Sequence, residues 1–215
     1  MIPNRSIRFL LLGISLTGLA HWNGRYLMEA MMPLYRFTIT LLDSRIDIAS
    51  LGIIQHQGQQ FVQFEGLVNR PFFIGEQYFL NLTSLLSSSR IPLDHALQPL
   101  VIFLTLIFSW PAYKSASPNA HSPVKQTRLY VVPYFYRICL GAPLILILML
   151  LDFPMQFIYM LWANLEKSFN ATGDAHGYLL FWSDFLNGGG LIMLSLAISM
   201  LAIGLSRYGS SRKRD

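Results

Sequence analysis

Apolar residues in this chain gather into four runs, separated by segments with a different period. The runs extend from Phe9 to Trp22, from His95 to Trp110, from Ile138 through the unbroken stretch Leu144 to Leu151, and from Leu191 to Leu205. A helix that crosses a bilayer needs about 20 apolar residues, within a range of about 17–25, so each run is a candidate span. After the first run, Leu27, Met31, Leu34, Ile39 and Leu42 recur around a kink expected at Pro33. That spacing predicts an amphipathic helix over Tyr26–Leu42, lying along a membrane surface or over the spans. From Ile46 the period falls to two. Ile46, Ile48 and Ile53, then Val62, Phe64, Gly66 and Val68, alternate with Asp47, Ala49, Gln63, Glu65 and Leu67. His56-Gln57-Gly58-Gln59 lies between the two runs, and its glycine suits a reversal with positive φ. A β-hairpin is therefore expected, closed at Asn69-Arg70-Pro71 because proline cannot donate to a ladder. A third strand over Gln77–Leu82 is compatible with the pattern.

These elements divide the chain into an N-terminus with a first helix (1–22), an outer segment (23–94), a second helix (95–112), a basic loop (113–137), a third helix (138–162), an outer loop (163–185), a fourth helix (186–206) and a basic tail (207–215). The first run also fits a secretory signal cleaved after Ala20. Trp22 and Tyr26, continuing the run as interfacial anchors do, favour an uncleaved helix.

Composition agrees with the bilayer reading. Of the 215 residues, 53% are hydrophobic and 13% charged, with a mean hydropathy of +0.43, against about 25% charged residues in soluble domains. An ordinary cytosolic enzyme is made improbable, and the abundance of apolar residues excludes disorder. The expected fold class is an all-α polytopic membrane protein with about four transmembrane helices and a small extracytoplasmic element of hairpin and amphipathic helix. The net charge of +5 is unevenly spread. Ten Lys and Arg and one acid fall in the N-terminus, the 113–137 loop and the tail; six Lys and Arg and ten acids fall in the two other connections. The positive-inside rule then puts both termini in the cytoplasm. A basic chain organised this way needs no nucleic-acid partner, and none is expected.

No motif supplies chemistry outright. Cys139, the lone cysteine, excludes an intramolecular disulfide; it reads as an apolar filler, since His21, His56, His95 and His176 fall on the opposite side and His121 in a Ser/Pro/Asn-rich loop. The histidines lack metal spacing, so no metal and no cofactor is expected. Asp94-His95 and Asp174-Ala-His176 are outer-side pairs that could meet as a proton relay or weak metal cluster. Asp152 and Asp184 flank apolar runs, and carboxylates inside a bilayer mark functional sites. The third run read as ending at Leu151 makes Asp152 a boundary residue; read as extending to Met160, it makes Asp152 a candidate for function. The boundary is preferred. Asn81 and Asn170 fit the glycosylation sequon.

Two features suggest a protein partner: the apolar patch Pro71, Phe72, Phe73 and Ile74, and a small-residue face of the fourth run with Ser195, Ser199 and Ala202, entered through Gly188–Gly190. No Gly-rich phosphate loop or internal repeat is present.

The layout resembles the small accessory membrane proteins associated with exosortases in Gram-negative bacteria. The resemblance lies in Ile54-Gln-His-Gln-Gly-Gln-Gln-Phe-Val62, in Leu97-Gln-Pro-Leu100, in Asp152-Phe-Pro-Met-Gln-Phe157 and in Trp162-Ala-Asn-Leu-Glu-Lys167. It covers most of the chain in order, by pattern and without a diagnostic motif. It implies an accessory of a protein-sorting or processing system in the bacterial inner membrane, and supplies no catalytic residues. The expected function is accordingly a non-enzymatic subunit that binds another membrane protein. The alternatives are a membrane enzyme or proton-coupled carrier using Asp94, His95, Asp152, His176 and Asp184, and a subunit of an oxidase.

Overall fold

The structure is a computed structural model that describes residues 5–74, 77–79, 87–110, 123–169 and 177–211. Among the described residues, five α-helices and five strands follow in order: α1 (Arg5–Leu42), β1 (Ile46–His56), β2 (Gln59–Val68), β3 (Phe72–Ile74), β4 (Gln77–Phe79), β5 (Ser87–Pro92), α2 (Leu93–Ser109), α3 (Pro123–Ser168), α4 (Gly177–Phe185) and α5 (Leu191–Ser211). The chain is thus mostly helical, with a three-stranded antiparallel sheet ordered β1-β2-β5 and a separate β3-β4 ribbon.

The expected count of spans is corrected. Among the described residues only two helical stretches are long and apolar enough to cross a membrane, Tyr134–Ser168 and Gly177–Ser206. The first run falls short because Gly13, Ser15, Thr17, Gly18, His21, Asn23 and Gly24 dilute it. The second forms a helix of 17 residues whose first turn holds Asp94. The all-α expectation is corrected as well. The amphipathic segment 26–42 is the second half of α1, which continues unbroken through Pro33. The third strand of the sheet is Ser87–Pro92, whereas Gln77–Phe79 pairs with Phe72–Ile74 in the ribbon.

Two compact units divide the chain. One, the helical unit, comprises residues 1–19, 98–147 and 192–215; the other, the sheet unit, comprises 20–97 and 148–191. In the helical unit α3 meets α2 and α5 at Gly141, where an added Cβ would run into the buried Phe103 ring and touch Ala202. Arg137 is buried there. Its Nε donates to Ser206 Oγ at 3.1 Å and an Nη to the Trp110 carbonyl at 2.8 Å. Its guanidinium also lies 5.3 Å from the Tyr134 ring centroid. Ile147, Met193, Met200 and Leu201 of this unit are exposed. Large apolar side chains left outside a folded surface are the expected complement of lipid.

In the sheet unit β1 and β2 form a long hairpin, with Ile53 opposite Val62 and Leu51 opposite Phe64. Its reversal falls at Gln57 (φ 50°) and Gly58 (φ 79°). Two consecutive positive φ values define a type I′ turn, whose twist matches that of the flanking strands. Val62, Phe64 and Val68 turn inward from alternate positions of β2, joined by Ile91 of β5. They pack on the later part of α3: Phe64 stacks on Phe157 with centroids 5.2 Å apart. Gly66 keeps the strand close to that helix, because a Cβ there would lie 2.7 Å from Leu161 Cδ1. Between α4 and α5, Leu186–Gly190 forms a π-type turn in which Gly189 takes φ 108°, so the helix kinks where a side chain would be strained.

Candidate functional site

Residues four apart on a helix share a face, and α3 uses this to set Asp152 beneath Gln156. Helicity continues unbroken to Ser168, so Asp152 lies inside the helix and not at its end. Asp152 is 1% exposed. Its Oδ1 accepts from Gln156 Nε2 at 2.6 Å, and the same nitrogen lies 3.3 Å from Nε2 of His95, in the first turn of α2. From α1, Tyr35 is fully buried, stacks on Phe153 at 5.4 Å and directs its hydroxyl toward the Met28 and Met31 sulfurs. Burial, and then the field of Asp152, push the Tyr35 phenol well above its ordinary range. The phenol therefore stays protonated and is no base. The result is a buried carboxylate, a bridging amide and a half-buried imidazole, drawn together from two helices with a phenol nearby.

A second polar cluster sits where α1 gives way to β1. Asp43 accepts from the backbone N–H of Arg45 at 3.1 Å and from two guanidinium nitrogens of that residue at 2.8 Å each. It also accepts from Trp162 Nε1 at 3.0 Å. The Arg45 guanidinium covers the Trp162 ring at 4.6 Å, and Phe72 meets that ring edge-on at 5.1 Å. Burial alone would raise the Asp43 carboxyl, but the hydrogen bonds from Arg45 and Trp162 together outweigh it and hold the group below the usual range. The donor set is that of a structural clasp. The Asp43 carboxylate is buried beneath these donors, while 37% of the Arg45 side-chain surface stays exposed.

The remaining expected site residues are dispersed. Asp94 is exposed and lies 3.4 Å from the exposed His21. Asp184 is exposed on α4. Asp174, His176, Asn81 and Asn170 lie outside the described residues, so the expected meeting of the 94–95 and 174–176 pairs is not described. Cys139 is exposed on α3. Within the patch 71–74, Pro71 is exposed, Phe72 is turned inward against Trp162, Phe73 is 62% exposed, and Ile74 pairs with Gln77 at the end of the ribbon. Ser195, Ser199 and Ala202 are all buried within the chain. Ser199 donates to the Ser195 carbonyl at 2.6 Å. Their small size serves packing inside the helical unit, where Ala202 lies beside Gly141.

Tyr35, Asp43, Arg45, Trp162 and Gln156 carry the two clusters without having been singled out for chemistry in the sequence. Gln156 had a signal: an amide four residues after an acid in an apolar helix. The Asp43 clasp had only Arg45, two residues on; Trp162, which closes it, lies 119 residues away. Among the described residues no group of three His, Cys, Asp or Glu is placed to hold a metal. An apolar pocket of about 390 Å³ in the helical unit, lined by Arg8, Leu11, Leu12, Ser15, Phe108 and Tyr134, brings no acid or histidine together. No family model matches the chain, and neither does any curated protein or solved structure.

Proposed function

We propose that this protein is a membrane-embedded accessory subunit that binds another membrane protein through the β3-β4 ribbon. The supporting observation is the ribbon's construction. Phe72 anchors it to Trp162, while Phe73 and Tyr78, 62% and 52% exposed, meet each other at 4.8 Å on the outside. An aromatic pair held on a fixed base and left exposed has the composition of an interface hot spot. Its partner class, a protein-sorting or processing machine of the bacterial inner membrane, follows from the resemblance in residues 54–62, 97–100, 152–157 and 162–167. Cytoplasmic termini follow from the Lys and Arg flanking the apolar stretches, including Arg207 and Arg212–Arg214.

The test is affinity purification of the full chain in mild detergent from its native membranes, beside a Phe73→Ser/Tyr78→Ser variant. The reading requires a stoichiometric partner with the native chain and its loss with the variant. A clean monomer in both, or a partner retained by the variant, overturns it. A second reading, a proton-coupled carrier or enzyme, is supported by the Asp152–Gln156–His95 cluster alone. It requires that Asp152→Asn abolish activity while the protein remains inserted and abundant.

A further inference from the structure

The groove of about 390 Å³ in the helical unit carries a charge at one end of an otherwise apolar lining, and its volume falls within the range of about 300–1,000 Å³ common to ligand sites. Arg8, Leu11, Leu12 and Ser15 stand at the i, i+3, i+4 and i+7 positions of α1, which share one face of a helix. They run about 10 Å along its axis. Phe108, at the end of α2, and Tyr134, on α3, supply an aromatic wall with ring centroids 6.0 Å apart. Arg8 is the N-terminal member of the stripe and the one charged side chain lining the groove. Among the described residues it takes part in no ion pair.

The groove lies at one edge of the apolar stretches. Tyr134 is the first residue of the stretch Tyr134–Ser168. Arg137, three residues on, donates to Ser206, the last residue of the stretch Gly177–Ser206. From there the sequence continues into Arg207 and Arg212–Arg214. Aromatic residues at the end of an apolar stretch, with basic residues beyond it, are the arrangement met at the cytoplasmic boundary of a membrane. The Arg137 guanidinium, 5.3 Å from the Tyr134 ring centroid, puts a second positive charge beside the groove, and no carboxylate lines it.

We propose that this groove holds one anionic phospholipid, its phosphate on the Arg8 guanidinium and an acyl chain along Leu11, Leu12 and Phe108. Guanidinium and phosphate match as a charge-assisted pair of parallel hydrogen bonds, and basic pockets between helices on the cytoplasmic side of a membrane hold anionic headgroups. A free phosphate would use Arg8 and leave the apolar stripe uncovered. A neutral lipid would cover the stripe and leave the guanidinium without a counter-charge. An amphiphile with a negative head matches both. The assignment rests on the reading of the chain as membrane-embedded with cytoplasmic termini, and not on the partner of the β3-β4 ribbon.

The full chain, purified in a non-ionic detergent, is titrated with phosphatidylglycerol and with phosphatidylcholine of the same acyl chains, and the first lipid adduct is quantified by native mass spectrometry. The native chain should take the first phosphatidylglycerol more tightly than the first phosphatidylcholine. Arg8→Gln should weaken the phosphatidylglycerol adduct about fivefold, the contribution of one arginine near an anionic surface, and leave the phosphatidylcholine adduct unchanged. Arg36→Gln, at an exposed arginine of the sheet unit, should change neither. Equal affinity of the native chain for the two lipids overturns the proposal, as does a loss in Arg36→Gln equal to that in Arg8→Gln. Displacement of phosphatidylglycerol by an equimolar amount of glycerol 3-phosphate assigns the site to a soluble phosphate and overturns the lipid. The comparison of the two lipids needs no variant, so a substitution that disturbs folding leaves it intact. Carbonate extraction of native membranes reads the underlying premise separately. A chain released into the soluble fraction fails the membrane reading, and this proposal with it; one that resists extraction without preferring phosphatidylglycerol fails this proposal alone.

Discussion

The sheet unit and the helical unit are held together by opposite kinds of contact. The sheet unit buries bulk: Tyr35, Phe64, Phe72, Phe153, Phe157 and Trp162 are each 2% exposed or less, in stacked and edge-on pairs. The helical unit packs the Phe103 ring into the space left by Gly141, with Ala202 beside it, and buries an arginine that donates hydrogen bonds within the unit. Both units leave large apolar side chains outside, Met193 and Leu201 in the helical one, Trp22, Phe37 and Phe181 in the sheet one. Two general forces bear on such packing. In water, burying an aromatic ring is itself a driving force, worth about 25 cal/mol per Å² of apolar surface. In lipid that force disappears between helices, and close packing of small residues with internal hydrogen bonds replaces it.

Trp162→Ala breaks the comparison hardest. It removes a fully buried indole, its hydrogen bond to Asp43, the surface under Arg45 and the support of Phe72. Truncations of this kind cost about 3–5 kcal/mol. Hydrogen exchange followed by mass spectrometry should show β1, β2 and β5 losing protection by two orders of magnitude or more while residues 98–109 keep theirs. Equal loss in both units would show that the division into two units carries no energetic meaning.

The converse substitution is Met193→Arg. Met193 is 67% exposed near the middle of the apolar stretch Gly177–Ser206. An arginine at the centre of a span costs about 2.5–3.5 kcal/mol on insertion scales. The fraction of chain resisting carbonate extraction should fall several-fold. Phe73→Arg, on the ribbon of the sheet unit, should leave that fraction unchanged. If Met193→Arg extracts like the native chain, α5 does not face lipid at that position.

How much of this was legible in the sequence depended on distance along the chain. The hairpin was, because its determinants are local: alternation in residues 59–68 and a glycine at the reversal. The span count was not, because a run of apolar letters does not reveal that α1 continues from residue 5 to residue 42 or that α2 stops at 17 residues. Phe72 and Phe73 read as one patch, yet strand alternation sends them to opposite faces, a consequence the sequence offered once β3 was recognised. The Asp43 clasp and the meeting of His95 with Gln156 depend on pairings across 119 and 61 residues, which no local pattern encodes.

Asp43→Asn sharpens the account of the sheet unit with a smaller effect. Asparagine still accepts from Trp162 but no longer neutralises Arg45. Arg45's side chain is 37% exposed, so water recovers part of the loss and about 1–2 kcal/mol remains. The pH dependence carries the clearer sign. Asp43 is held below its ordinary value in the folded chain, so its contribution is fully present above the unfolded value of about 3.9 and is lost as pH falls through the folded value. Thermal unfolding should therefore show the native sheet unit weakening below about pH 4, and a shallower acid limb in Asp43→Asn. A variant with the native acid limb would assign that limb to another carboxylate.

Glu29→Gln has the smallest expected effect and isolates what burial adds. Glu29 accepts from Arg25 Nε at 2.8 Å, the same distance as each Arg45 guanidinium bond to Asp43. Both partners are exposed, however, at 58% and 46% of their side-chain surface. Water solvates either ion as well as its partner does, and salt screens what remains. Glu29→Gln should leave the unfolding temperature of the sheet unit within error of native at moderate ionic strength, at pH 7 and at pH 4 alike. Equal shifts from Glu29→Gln and Asp43→Asn would mean that distance alone, and not the aromatic enclosure around Trp162, sets the strength of an ion pair in this protein. The buried Asp43 pair would then lose the feature that distinguishes it from the exposed pair on α1.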